Sequence, residues 1–279
     1  MSSEAAPFGT YAPEGLQAWA RARANGLRSG QPGKWLRSIL LRLAGGKARK
    51  PRDVVVFGDQ RARLHPYDNI CEKRVYAGAQ LWDALERAAL AEAICAHDGE
   101  NFMFADIGAN VGLYSLFARS VAREAGRAIR LLCVEPEPVV RARMAFNLRA
   151  SGALDEAAVL DWAIGPKSGE VSLYVNEKNR GENRLDGAGD PVRVAARPLI
   201  DAFGAAGFDR VDAMKIDIEG AERPALEAFF RTAPAPLWPR LIILETAHDR
   251  AEESALKLCL EHGYSIAVQT RLNAILKLA

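Results

Sequence analysis

The sequence predicts an α/β domain whose mostly parallel sheet is covered by helices on both faces. Three observations carry that expectation. From residue 102 to residue 262, short apolar runs alternate with helix-length amphipathic runs, the pattern of parallel strands joined by crossover helices. The first of these runs, Phe102-Met103-Phe104-Ala105-Asp106-Ile107-Gly108-Ala109-Asn110-Val111-Gly112, ends in a carboxylate, turns through two glycines and an asparagine, and enters a helical pattern. Two β-like runs, 264–269 and 273–278, close the chain around a short turn at Arg271-Leu272, an antiparallel pair of the kind mixed sheets carry at an edge.

Taken in order, residues 1–50 are rich in Ala, Gly, Arg and Pro without a sustained strand pattern. They read as a basic extension, helical or partly disordered, ahead of a domain over 51–279. Inside the extension, Lys34 to Leu43 is helix-like: Trp35, Leu36, Ile39, Leu40 and Leu43 form one apolar face, Lys34, Arg37 and Arg42 lie off it, and Gly45-Gly46 stops it. A strand pair is expected over 54–64 and a helix over 81–96, closed by His97-Asp98-Gly99. Strands follow at 102–106, 131–135, 158–163, 212–217 and 240–246, with helices at 112–124, 137–150, 220–231 and 250–262. The alternation breaks between 165 and 200. There, Glu170 to Asn176 alternates like a strand, and Glu177 to Gly189 is polar and glycine-rich, a connection long enough to be either mobile or functional.

Charge is unevenly placed. Through Arg52 the chain has ten basic and two acidic residues, which leaves 27 bases against 33 acids, a net −6, for the rest. A mildly acidic body argues against a nucleic-acid partner held by that body. The four cysteines (Cys71, Cys95, Cys133, Cys259) contain no C-x-x-C pair and read as reduced thiols. With early acids, no apolar leader-like region and no run of membrane-spanning length, a cytoplasmic protein is expected.

The chemistry-bearing residues gather at strand ends. Gly108 and Gly112 allow backbone to pass close to a ligand, and Asn110 tolerates positive φ. The spacing is neither G-x-G-x-x-G nor a triphosphate loop. Asp106 in the loop mouth would repel a pyrophosphate but can hold the ammonium of an amino-acid-bearing nucleoside such as S-adenosyl-L-methionine. Glu135, at the end of the second strand, can accept hydrogen bonds from ribose hydroxyls. Asp161, at the end of the third, can accept the adenine amino group or serve as a turn or cap residue. In Met214-Lys215-Ile216-Asp217-Ile218-Glu219-Gly220-Ala221-Glu222, Asp217 and Glu219 stand where a transferred group would meet its acceptor. Two acids this close repel, so one can keep a proton while the other acts as a general base or holds a hydroxyl. Glu222 reads as a helix-start residue. Glu245 ends the fifth strand, and His248 follows it as a base with a pKa near neutrality. Asp217, Glu219, Glu245 and His248 can also be read as hard metal ligands, but no local spacing among them demands a metal, so a metal is kept only as the lesser alternative. His65 and His97 read as turn residues.

Together, Asp106-Ile107-Gly108-Ala109-Asn110-Val111-Gly112 and Lys215-Ile216-Asp217-Ile218-Glu219-Gly220-Ala221-Glu222 resemble the FkbM-type methyltransferases over roughly residues 80–250. The resemblance implies the class I methyltransferase (Rossmann-like) seven-stranded fold and S-adenosyl-L-methionine as cofactor. It implies that Asp106, Gly108, Asn110 and Gly112 surround the methionine part, that Glu135 holds the ribose, and that Asp161 and Ala163 line the adenine. Members mostly methylate hydroxyls of sugars, glycans or polyketide-like products, so O-methylation of a sugar or glycoconjugate is expected, with Asp217, Glu219, Glu245 and His248 on the acceptor side. A regulatory subunit that binds the cofactor or a nucleotide without turnover, and a methyltransferase acting on a non-sugar small molecule, remain open. The Lys34 to Leu43 helix is expected to dock on its own domain, on a second copy, or peripherally on an anionic membrane at the inner face.

Overall fold

The computed structural model describes residues 3–27, 30–176, 179–180, 191–247, 249 and 254–279. The chain opens with α1 (Gly15–Asn25) and α2 (Gln31–Leu43), then a hairpin of β1 (Arg52–Val56) and β2 (Gln60–Leu64), then α3 (Ile70–Gly78) and α4 (Ala84–Ala96). The alternating part follows as β3 (Asn101–Ile107), α5 (Leu113–Glu124), β4 (Ala128–Val134), α6 (Pro138–Ala150) and β5 (Ala157–Leu160). Three short strands come next, β6 (Ala163–Ile164), β7 (Gly169–Leu173) and β8 (Val192–Arg197), and then α7 (Leu199–Ala205). The chain closes with β9 (Ala213–Ile216), α8 (Glu222–Thr232), β10 (Leu241–Glu245), α9 (Ala255–Glu261), β11 (Tyr264–Gln269) and β12 (Asn273–Leu278).

Seven strands form the main sheet in the order β11-β12-β10-β9-β3-β4-β5. The pairs from β10 through β9, β3 and β4 to β5 are all parallel. This is the mostly parallel, Rossmann-like sheet expected from the alternation. The C-terminal pair lies at the edge, with one refinement: the antiparallel strand β12 sits second, between β10 and β11, and β11 is outermost. Because β12 reverses the chain next to β10, the turn after β11 returns to the carboxyl ends of the parallel strands. The sheet's two faces follow from the period of two in each strand. Phe102, Phe104, Leu131, Cys133 and Ile243 join one core cluster, whereas Met103, Ala105, Leu132, Val134 and Ile242 join the other. Strands buried on both faces read as continuous apolar runs, as these do.

The interrupted stretch 165–200 contributes β7 and β8 to a separate three-stranded sheet, β6-β8-β7, while residues 177–178 and 181–190 lie outside the described residues. Helices α3 and α7 and strand β8 were not anticipated; none carries an apolar periodicity long enough to stand out from its surroundings.

The N-terminal extension shares the core of the body. Ala20 and Ala24 of α1 and Leu40 and Leu41 of α2 are buried in the same cluster as Val75 and Tyr76 of α3. Ahead of α1, the chain is tied to a buried ion pair, Arg63 Nε to Asp53 Oδ1 at 2.7 Å. Arg63 also donates to the carbonyls of Ser3, Ala6 (2.9 Å) and Pro7 (2.8 Å), and the backbone N–H groups of Gly9 and Tyr11 donate to Asp53. Breaking one side of such a pair would leave a buried charge uncompensated, so the pair fastens residues 3–11 to the β1–β2 hairpin. The four cysteines are free thiols.

Candidate active site

Parallel strands end together, so the loops after them converge on one edge. There a cavity of about 400 Å³ opens, walled by loops after β3, β4, β5, β9, β10 and β11 and by α3.

The loop after β3 is built from backbone. Gly108 has φ +74, and a Cβ there would fall 1.9 Å from the carbonyl oxygen of Asp217, so only glycine permits the two strand-end loops to touch. The N–H groups of Gly108 and Ala109 donate to Val134 O. Asn110 stands in the left-handed region at φ 52; its N–H donates to Glu135 Oε2 (2.9 Å), and its side chain accepts from Asn69, the cap of α3. Gly112, at φ +79, begins α5 against Met144.

Asp106 lies beneath this loop and is not part of the cavity wall. It accepts from the backbone N–H and hydroxyl of Ser115 at 3.1 and 2.7 Å, fastening the first turn of α5 to the end of β3. Burial pushes its pKa up to about 6, against the pull of Lys215 and the Ser115 bonds. Glu135 does line the cavity. One oxygen accepts from Asn110 and the other from the Glu137 N–H at 2.9 Å, and burial, offset by those two bonds, raises its pKa to about 7. Asp161 is exposed and outside the wall; its neighbours Trp162 and Ala163 form that side of the cavity.

The facing half is acidic. Register pairs Ile216 with Leu244, which makes the next residues, Asp217 and Glu245, neighbours across two strand ends. Burial, and then the adjoining Asp217 carboxylate that hydrogen-bonds to it, raises the Glu245 pKa to about 10. Glu245 is therefore a neutral acid at physiological pH. Asp217 keeps an ion pair with Lys215 Nζ at 2.7 Å. Burial alone would depress Lys215, but Asp217 and Asp106 outweigh it and hold the ammonium above its ordinary value. Glu219 is itself left-handed at φ 55, next to Gly220 at φ 99. The carboxylate of Glu222, the first residue of α8, accepts from the Ile218 (2.7 Å) and Gly220 (2.9 Å) N–H groups and so holds that turn. A strained conformation held this way is common at working sites. Asp217, Glu222 and Glu245 also bring carboxylate oxygens within 4.8 Å of one another.

His248 lies outside the described residues. Among the polar wall residues that escaped the sequence reading are Asp83, Arg74, Asn179, Arg180 and Arg271. Asp83 and Arg74 come from the α3–α4 region, which has no motif. Arg271 was legible as a turn residue, and only the placement of β12 inside the edge brings that turn to the cavity.

Residues 106–266 match the Methyltransferase FkbM domain. The methyltransferase sdnD of Sordaria araneosa is 27% identical over 159 residues, 46% of this chain; the chain spans 60% of the length of that curated relative. Among solved structures, a Methyltransferase FkbM from Methylobacillus flagellatus has 17% identity and a TM-score of 0.46, over 76% of this chain and 55% of that one. A precorrin-6y C5,15-methyltransferase from Geobacter metallireducens has 14% identity and a TM-score of 0.41, over 68% and 84%.

Proposed function

Because this chain belongs to the FkbM methyltransferase family, whose methyl donor is S-adenosyl-L-methionine, we propose that it transfers a methyl group to a hydroxyl of a sugar or glycoconjugate. The observation that carries the reading is the pairing of a backbone-built, carboxylate-fastened loop with a facing acid pair in one cavity.

The cavity suits the donor's chemistry. Its size falls within the range of small-molecule sites, and Gly108 keeps a cradle open that any Cβ would fill. Acidic groups at Asp83, Glu135, Asp217 and Glu219 line the cavity and suit a cationic ligand. When bound, the donor supplies an electrophilic methyl group with a thioether as leaving group. Gly108 and Asn110 would surround the methionine part, with Gly112 turning their loop into α5 behind the cavity wall and Asp106 holding it from beneath as a positioning residue. Glu135 would accept from the ribose hydroxyls, its carboxylate fixed by two backbone donors. Trp162 and Ala163 would cover the adenine.

On the acceptor side, Glu245 retains its proton and donates to Asp217, so Asp217 remains a carboxylate balanced by Lys215. The hydroxyl proton released on O-methylation passes to Asp217 or to Glu219 at the strained turn. Positioning the acceptor in line with the methyl group is the larger part of the work.

Calorimetric titration with S-adenosyl-L-methionine tests the donor; binding of NAD in its place would overturn the reading. Mass spectrometry of glycans from a strain lacking the gene tests the acceptor: loss of one methyl from a sugar is expected, and an unchanged glycan profile would leave the donor assignment standing and reject the sugar.

A further inference from the structure

The expected docking face of α2 is divided in the structure. Leu40 and Leu41 turn into the core, at 6% exposure each, but Trp35 is 71% exposed, Leu43 43%, Leu36 40% and Ile39 36%. Trp35, Ile39 and Leu43 recur at intervals of four, and Leu36 stands beside them, so they form one outward stripe along the helix. Helix α2 is thus apolar over more than its buried side. Its packing partner α1 likewise presents Leu16 (61%) and Trp19 (52%) while burying Ala20 and Ala24. Six large apolar side chains on two adjoining helices make an exposed surface far beyond scattered single residues.

Past Glu14, the exposed residue that precedes α1, the charge along these two helices is of one sign. From Gly15 through Arg52 there is no acidic residue, against ten basic ones. Lys34 and Arg42 on α2 and Lys47, Arg49 and Lys50 just after it are exposed. The stretch also lies outside the matched methyltransferase domain, and none of its residues walls the cavity. A second copy of the chain would set these exposed bases against their own kind, which opposes self-association through this face. A surface that offers apolar depth and negative charge together satisfies both features at once, because tryptophans favour the interface of a bilayer and bases favour its anionic headgroups.

We propose that α1 and α2 dock this protein on an anionic lipid bilayer, with Trp19, Trp35, Ile39 and Leu43 entering the interface and the surrounding bases meeting lipid phosphates. The same two helices pack on α3, whose Ile70, Cys71 and Arg74 wall the cavity. Docking therefore brings the cavity's α3 side within one helix of the membrane, where a lipid-linked acceptor would be presented; that last consequence rests on the proposed O-methyl transfer, and the docking itself does not.

The test is co-sedimentation of the full chain with vesicles of phosphatidylcholine alone and of phosphatidylcholine with phosphatidylglycerol, at low and high salt. Binding to the anionic vesicles at low salt is expected, weakened by salt and absent on the neutral ones. The double variant Trp35→Ser/Ile39→Ser should lose about tenfold or more in partitioning, and Arg42→Gln about fivefold. All three residues are exposed, so circular dichroism and calorimetric binding of S-adenosyl-L-methionine should be unchanged. Failure to sediment with anionic vesicles at low salt would overturn the proposal. So would a concentration-dependent dimer, seen by light scattering, that Trp35→Ser abolishes while vesicle binding stays absent. Neither result bears on the donor titration.

Discussion

Two strand-end loops of this sheet start alike and end differently. At the end of β3 and just past β9, an acid is followed within a few residues by a left-handed residue and glycine, and a helix begins soon after. In the first loop region the carboxylates of Asp106 and Glu135 accept from backbone N–H groups, and Asp106 also takes the Ser115 hydroxyl. They hold shape. Past β9 and β10, Asp217 and Glu245 face each other, one ionised against Lys215 and one kept neutral, and one Glu245 oxygen is buried without a hydrogen-bond partner among the described residues. A carboxylate whose lone pairs are engaged by backbone positions a ligand, whereas one left against another carboxylate keeps the capacity to exchange a proton.

Four substitutions or conditions separate those roles. The largest effect is expected at the acid pair: Asp217→Asn should slow methyl transfer by about 10²–10⁴ with cofactor affinity nearly kept, as read from single-turnover rates beside calorimetry. A variant that instead lost donor binding at full turnover would make Asp217 a cofactor ligand and erase the contrast. Next, Gly108→Ala should strike both loops at once, since its Cβ would collide with Asp217 O. The strain should cost about 1–3 kcal/mol of stability, and cofactor affinity should fall about tenfold to a hundredfold.

Asp106→Ala should act through the fold, because the Ser115 N–H and hydroxyl lose their buried acceptor. A loss of about 1–3 kcal/mol in denaturant unfolding is expected, with a smaller change in cofactor affinity; the reverse proportion would mean that the side chain reaches the ligand. The fourth is a pH dependence of stability. Folded Glu245 holds a proton up to about 10, against an ordinary value of 4.5. Its favourable contribution is complete below that ordinary value and is lost as pH rises through the folded one. Glu245→Gln carries no such loss, so its melting temperature should gain on the wild type steadily between about pH 5 and about pH 9. Parallel melting curves across that range would mean that Glu245 is ionised in the fold.

Much of the architecture was legible because its signals are local. Apolar runs such as Leu131-Leu132-Cys133-Val134 and Leu241-Ile242-Ile243-Leu244 can be satisfied only by strands buried on both faces. The glycines and asparagine after β3 declare a turn wherever they occur. Helix α3 and the cavity residues Asp83 and Arg74 were not legible, since their place depends on packing between the extension and the sheet rather than on any spacing in the chain. The apolar stripe of α2 was legible as a stripe, but periodicity does not say which arc meets the core, and the structure buries Leu40 and Leu41 while leaving Trp35 outside.

What the sequence determined by itself is the set of strand ends, their acids and the glycines that let those ends approach one another, because each follows from the conformational limits of a few adjacent residues. Tertiary structure decided the acids' partners. Asp106 turned under its loop to the start of α5, and Glu245 met Asp217 because β10 pairs with β9 in the register that sets Leu244 beside Ile216. Whether a carboxylate holds backbone or holds a proton depends on what lies within hydrogen-bonding distance, and that distance exists only once the strands have been laid side by side.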